Sequence, residues 1–179
     1  TSIRFWDLRF VKSKITPDYI LTNGPDSFAK LLENGYRIEE LKKVETLRFK
    51  KAIPIQKEKS NNKVLIIFDY SNYANQELLN ILNQTKAIYK YKVFIKPHPL
   101  NPLTDIKFNF DYTVIDDQNM FGNYELVIFT NKTMAQLDFY IAGYKIAIHR
   151  SSNNFNFSVL KNSDNNIFFQ NQNELISIF

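Results

Sequence analysis

The chain contains no cysteine among its 179 residues, and only four glycines and one tryptophan. Without cysteine there is no disulfide scaffold, no thiolate metal site and no cysteine nucleophile. With so little glycine and only six prolines, collagen-like and low-complexity chains are excluded. No apolar run approaches the roughly 20 residues that a membrane-spanning helix needs. A signal-peptide apolar core is also missing, and the sequence opens on Thr1-Ser2-Ile3-Arg4 with no initiator methionine. It reads as a piece of a longer protein. What is plentiful is apolar and aromatic side chain, 44% and 15% of the residues, enough for a buried core of domain size.

The net charge is +5, unevenly placed. Residues 1–63 hold 14 basic and 8 acidic side chains, whereas residues 64–179 hold 9 and 10. The excess is densest from Lys42 to Lys63, a pattern of a solvated helix face and linker rather than of a nucleic-acid footprint. No zinc-finger, RRM-like or KH-like motif accompanies it, so no nucleic-acid partner is expected.

Turn signals and apolar runs divide the chain. Tyr19 to Asn23 reads as a short strand, followed by a helix from Pro25 closed by Gly35. Glu39 to Phe49 reads as a second helix, and the polar stretch from Lys50 to Lys63 as a linker. A regular alternation follows. Strands are expected at Val64–Phe68, Tyr91–Lys96, Tyr112–Ile115, Leu126–Phe129, Lys145–Ile148 and Ile167–Phe169. Helices are expected at Asn75–Tyr89, Met134–Ala142 and Asn173–Ile178. Alternating strands and helices imply parallel pairing, so the fold class is α/β, a Rossmann-like parallel sheet with helices on both faces. The linker divides the chain into residues 1–60 and residues 61–179.

Ligands of such sheets bind at the carboxyl ends of the strands, so the loops there are the places to search. No GxGxxG or GxxxxGK[ST] occurs, which removes the common dinucleotide and ATP fingerprints. After the first core strand stands Asp69-Tyr70-Ser71-Asn72, where Ser71 or Asn72 suits a helix cap. After the second stands Lys96-Pro97-His98-Pro99. Two prolines stiffen the backbone around one imidazole, favouring a ligand-facing role for His98 over that of a turn histidine. Thr130-Asn131-Lys132-Thr133 leads from the fourth core strand into a helix. Hydroxyls, amide donors and a lysine there suit an anion, although alone the segment reads as a helix cap. With His98 arriving from a neighbouring strand end, a phosphate site becomes the better reading. His149, at the end of the fifth core strand beside Arg150, Ser151 and Ser152, fits a structural role and a ligand role equally. Asp116, Asp117 and Asp138 read as solvent-facing, and no metal site is expected.

The order of strand, Lys96-Pro97-His98-Pro99 loop, two strands, Thr130-Asn131-Lys132-Thr133 turn, helix, Gly143 and strand resembles the C-terminal half of GT-B glycosyltransferases. The likeness is to bacterial surface and capsule polysaccharide enzymes of the polysialyltransferase type, which pair an HP motif with a Ser/Thr-rich turn. Here His98-Pro99 matches the first, and Thr130-Asn131 stands where a Ser-Ser pair is expected. The segments Arg4 to Phe10 and Val44 to Phe49 are similar to WDLR and VEALRY-like segments of a surface carbohydrate biosynthesis family. The resemblance implies the donor-binding half of a cytoplasmic transferase, working without a metal on a CMP-linked nucleotide sugar, with residues 1–60 a remnant of the N-terminal lobe plus linker and residues 61–179 the nucleotide-sugar-binding domain. Its site would comprise Ser71, His98, Thr130, Asn131, Lys132 and Thr133, with His98 catalytic. The base would lie near Tyr70 and the loop from His149 to Asn154, bringing in Ser151 and Ser152. A glycan or lipid-linked acceptor would be held by a further lobe. Two alternatives stand beside this reading: a UDP-sugar 2-epimerase-like enzyme on the same architecture, and a non-catalytic interaction module whose Lys42–Lys63 stretch docks on an anionic membrane, at its inner face, or on a partner.

Overall fold

The computed structural model describes residues 17–22, 24–44, 62–103, 107–117, 120–151, 158, 160 and 166–179. The Arg4–Phe10 segment, most of the Val44–Phe49 segment, most of the Lys50–Lys63 stretch and Ser152 lie outside those residues. The chain divides into two compact units, residues 1–52 and 53–179.

In the first unit, β1 (Ile20–Thr22), α1 (Pro25–Glu33) and β2 (Leu41–Lys43) form a βαβ unit with parallel strands in register Ile20 to Leu41. Leu31, Tyr36 and Leu41 form its small buried core, with Ile20 and Phe28 packed against them. Gly35 ends α1 as expected. At a φ of +87° it lets its own N–H reach the Leu32 carbonyl and the Tyr36 N–H reach that of Leu31, capping the helix carbonyls. The helix expected from Glu39 is not found over its first residues. Ile38–Glu40 is a single 3-10 turn, and Leu41–Lys43 is strand, because pairing with β1 satisfies the backbone and buries Leu41. Tertiary pairing there outweighs helix propensity. Residues 45–49 fall outside the described residues.

In the second unit the apolar runs become β3 (Lys63–Ile67), β4 (Lys92–Lys96), β5 (Tyr112–Val114), β6 (Leu126–Thr130), β7 (Ile146–His149) and β8 (Asn166–Phe169). They form one sheet in the order β5-β4-β3-β6-β7-β8, every pair parallel. Side chains alternate between two cores, as the period of a strand requires. Val64, Ile66, Val93, Ile95, Leu126 and Ile128 pack with Leu78 and Leu82 of α2 (Asn72–Gln84) and with Leu175 and Ile178 of α4 (Gln172–Ile178). Leu65, Ile67, Val127, Phe129, Ile146 and Ile148 pack on the other face with Phe139 of α3 (Ala135–Ile141). Helices therefore cover both faces of a parallel sheet, and the doubly wound order reverses between β3 and β6.

The helix expected over Asn75–Tyr89 starts earlier and stops sooner. The Ser71 hydroxyl accepts the Ala74 N–H and opens α2 at Asn72. The Thr85 hydroxyl donates to the Ile81 carbonyl, and Thr85 leaves helical geometry, so Lys86–Lys90 continues only as a 3-10 turn. Gly143, at a φ of +83°, closes α3 with the same paired bonds that end α1. Among the described residues, no helix is long and apolar enough to cross a membrane.

Candidate functional site

The strand order brings the ends of β3 and β6 side by side at the point where it reverses, and the same construction shapes both ends. In the first turn of α2, Asn75 is fully buried and reaches back six residues to Asp69. Its Nδ2 donates to the Asp69 carbonyl (2.8 Å), and its Oδ1 accepts the Asp69 N–H (3.1 Å). In α3, buried Gln136 likewise reaches back six residues and donates to the Thr130 carbonyl (2.7 Å), while its Oε1 accepts from the Ser158 hydroxyl (2.6 Å). A strand that stops before its helix begins leaves backbone groups without ladder partners, and these amides supply them. The Asp69 carboxylate also accepts the Ser71 N–H, which folds Asp69–Ser71 into a tight turn.

The Lys-Pro-His-Pro loop is similarly rigid. The His98 carbonyl accepts the Asn101 N–H (2.8 Å), and its Nδ1 accepts the Leu100 N–H (3.2 Å). That pattern assigns the imidazole proton to Nε2, making His98 a hydrogen-bond donor at its outer nitrogen. Asn101 ties this loop to the one after β3, donating to Asn72 Oδ1 (2.6 Å) and to the Tyr70 carbonyl (3.4 Å). At the end of β4, the Lys96 ammonium, almost buried, pairs with Asp117 beyond β5 at 2.7 Å.

Three loops meet at Tyr70. The ring is 61% exposed and stands edge-on to His98, with centroids 6.0 Å apart. The Lys132 ammonium lies 5.9 Å from the same ring's centroid, at the outer edge of cation–π range. A partly exposed aromatic ring thus has an imidazole and an ammonium each about 6 Å away, at the carboxyl edge of the sheet. An exposed ring can stack a planar group, and nearby imidazole and ammonium groups can attract an anion.

The other candidates fall into place unevenly. Thr130 and Asn131 are buried, so Lys132 and Thr133 are what that turn presents. The turn caps the start of α3 through Thr133 alone. Met134 occupies the cap position without a side-chain bond, and the Thr133 hydroxyl accepts the Ala135 N–H (3.3 Å). Thr130 is instead the last residue of β6, held there by the pairing of β6 with β7. Ser71 caps α2 within the Tyr70 loop, and Ser151 is buried just after β7. Asp117 is drawn into the ion pair with Lys96. Tyr70, Asn75, Asn101 and Gln136 carry the construction; the sequence named Tyr70 only as lying near the base, and a reading of motifs passed over the other three. The one signal available was an amide in the first turn of each helix after a core strand.

His149 ends β7 beside Thr130, packed against Phe169 with ring centroids 5.5 Å apart. Burial lowers its pKa from the ordinary 6.5, and the nearby Glu77 carboxylate only partly opposes this. Burial thus favours the neutral imidazole. Because the folded state resists a proton that the unfolded chain accepts, stability is full above about pH 6.5 and falls as the pH drops below it. Urea midpoints measured at pH 7.5 and 5.5 should therefore decline with pH, and His149→Asn should flatten that decline. An equally steep decline in the variant would assign the effect to other groups. Asp69 Oδ2, Glu77 Oε2 and Thr130 Oγ1 are buried without a hydrogen-bond partner among the described residues. No cluster of three His, Asp or Glu side chains able to hold a metal ion occurs among the described residues.

No protein-family model matches the chain, and no curated protein and no solved structure is similar enough to count as a match.

Proposed function

We propose that residues 61–179 bind the nucleotide of a nucleotide sugar, as the donor half of a GT-B glycosyltransferase for bacterial surface polysaccharide. The observation that carries this reading is the Tyr70 ring with His98 and Lys132 each about 6 Å from it, at the reversal point of a doubly wound sheet. The base stacks on the open face of Tyr70. His98 Nε2 and the Lys132 ammonium meet the phosphate, whose negative charge grows as the glycosidic bond to the nucleotide breaks. Donors already fixed in place stabilise that leaving group without reorganising, which is how such a site lowers the barrier. The rigid turn about His98 and the two helix amides hold the donors in position. The likeness to CMP-sugar enzymes makes CMP the preferred nucleotide, with a glycan or lipid-linked acceptor held elsewhere in the whole protein.

Calorimetric titration with CMP and UDP tests the proposal. CMP should bind more tightly than UDP, and His98→Ala should weaken CMP binding about 10- to 100-fold, the value of a hydrogen bond to a charged group. Equal CMP binding by His98→Ala and the wild type would remove His98 from the site. A clear preference for UDP would move the reading to the epimerase-like alternative.

A further inference from the structure

Lys96 is the last residue of β4, and its side chain is only 11% exposed. Lysine is seldom buried unless its charge is paired. Among the described residues the ammonium has one polar partner, Asp117 Oδ1 at 2.7 Å, which leaves part of its capacity for three hydrogen bonds unused. The pair is lopsided. Asp117 keeps 73% of its side chain in water, so its charge is well solvated and gains little from the contact. The ammonium has given up most of its water and depends on an anion.

Strand alternation places this cation. Val93 and Ile95 belong to the core beneath α2, so Phe94 and Lys96 point to the opposite face, where Phe94, Ile67 and Ile115 pack with α3. The turn that carries Lys132 leads from β6 into the same α3. Lys96 and Lys132 therefore come from the two strands that flank β3, whose chain continues into Asp69 and Tyr70. Lys96 is also joined to both loops of the nucleotide site. Its carbonyl accepts the Phe68 N–H (3.1 Å) two residues before Tyr70, and its own chain runs through Pro97 into His98.

A nearly buried cation with donors to spare, at the strand ends where the site's other donors stand, suits an anion arriving from solvent. We propose that Lys96 is a further phosphate-binding residue of the nucleotide site, and that the Asp117 carboxylate holds its place until the phosphate displaces it. The inference rests on the nucleotide reading given above. On binding, the ammonium exchanges one anionic oxygen for another, and Asp117 moves fully into the water that already surrounds most of it. The pair thus keeps a buried charge compensated in the empty protein, at a small cost when it opens. A ligand without a negative charge has nothing to offer the ammonium in exchange, so the pair favours nucleotide over nucleoside.

Calorimetric titration of the whole chain with CMP, and with cytidine as the uncharged control, tests this. Lys96→Met keeps an unbranched stem and removes the charge, and CMP affinity should fall about 10- to 100-fold. Asp117→Asn should act in the opposite direction and tighten CMP about two- to fivefold, the value of a largely exposed ion pair that the phosphate no longer has to open. Its amide oxygen still accepts from the ammonium, so thermal melts should show a folded protein. With Lys96→Met already present, Asp117→Asn should add nothing, because the gain passes through the ammonium. Cytidine should respond to none of these changes. A wild-type chain that binds no CMP would overturn the nucleotide reading, and this inference with it. Where the wild type binds CMP, three results would overturn the inference alone: full affinity in Lys96→Met, no gain in Asp117→Asn, or a gain that persists without Lys96 and so reflects the general field of the removed charge.

Discussion

Replacing Phe139 with alanine should lower the melting temperature by roughly 6–20 °C. The ring is fully buried at the centre of the α3-side core, stacked on Phe121 at 4.7 Å and packed edge-on against Tyr144 at 4.9 Å and Phe129 at 5.5 Å. Removing such a ring loses its transfer free energy and leaves a cavity, together costing about 3–5 kcal/mol. For a unit of this size each kcal/mol moves the melting temperature by about 2–4 °C. α3 spans only Ala135–Ile141, so it offers little means of closing the gap. Phe139→Leu keeps most of the volume and should cost far less. Thermal melts followed by circular dichroism decide the matter. A drop under about 3 °C in the alanine variant, against that scale, would mean that this core is not packed around Phe139.

The second large effect is expected from Asn75→Ala, at about 2–4 kcal/mol in urea unfolding. Both the N–H and the carbonyl of Asp69 lose their partner in that variant, and each stranded buried group costs about 1–3 kcal/mol. Asn75→Asp separates the two bonds. It can still accept the Asp69 N–H but sets a carboxylate oxygen against the carbonyl, so it should recover only part of the loss. The same substitution loosens the Asp69–Ser71 turn on which Tyr70 stands, so nucleotide affinity should fall along with stability. Asn80, exposed on the outer side of α2, supplies the control, since Asn80→Ala should change neither. If Asn75→Ala proved as stable as the control, the amide would not be what holds the turn.

The strands of the second unit were legible because each is a compact β-branched or aromatic run ending at a turn signal, as in Val64–Phe68 and Leu126–Phe129. Gly35 and Gly143 were legible as helix ends for a local reason, since few residues other than glycine accept that backbone conformation. His98 stood out because two prolines and a strand end are all sequence neighbours. The segment after Glu39 misled because its helical spacing is local, whereas the pairing of Leu41–Lys43 with β1 comes from residues some twenty positions away.

The chain by itself thus determined that the second unit would be a parallel α/β sheet, and which loops would stand at its strand ends. It could not determine the strand order. Six apolar runs look alike, and only their joint packing sets β3 between β4 and β6 and brings Tyr70, His98 and Lys132 together. Nor could it separate the threonines of one turn, since Thr130 is buried by the pairing of β6 with β7 while Thr133 is not. Local sequence specifies backbone conformation and the alternation of faces. Which side chains share a crevice depends on contacts between distant segments, and those are chosen by the packing of the whole sheet.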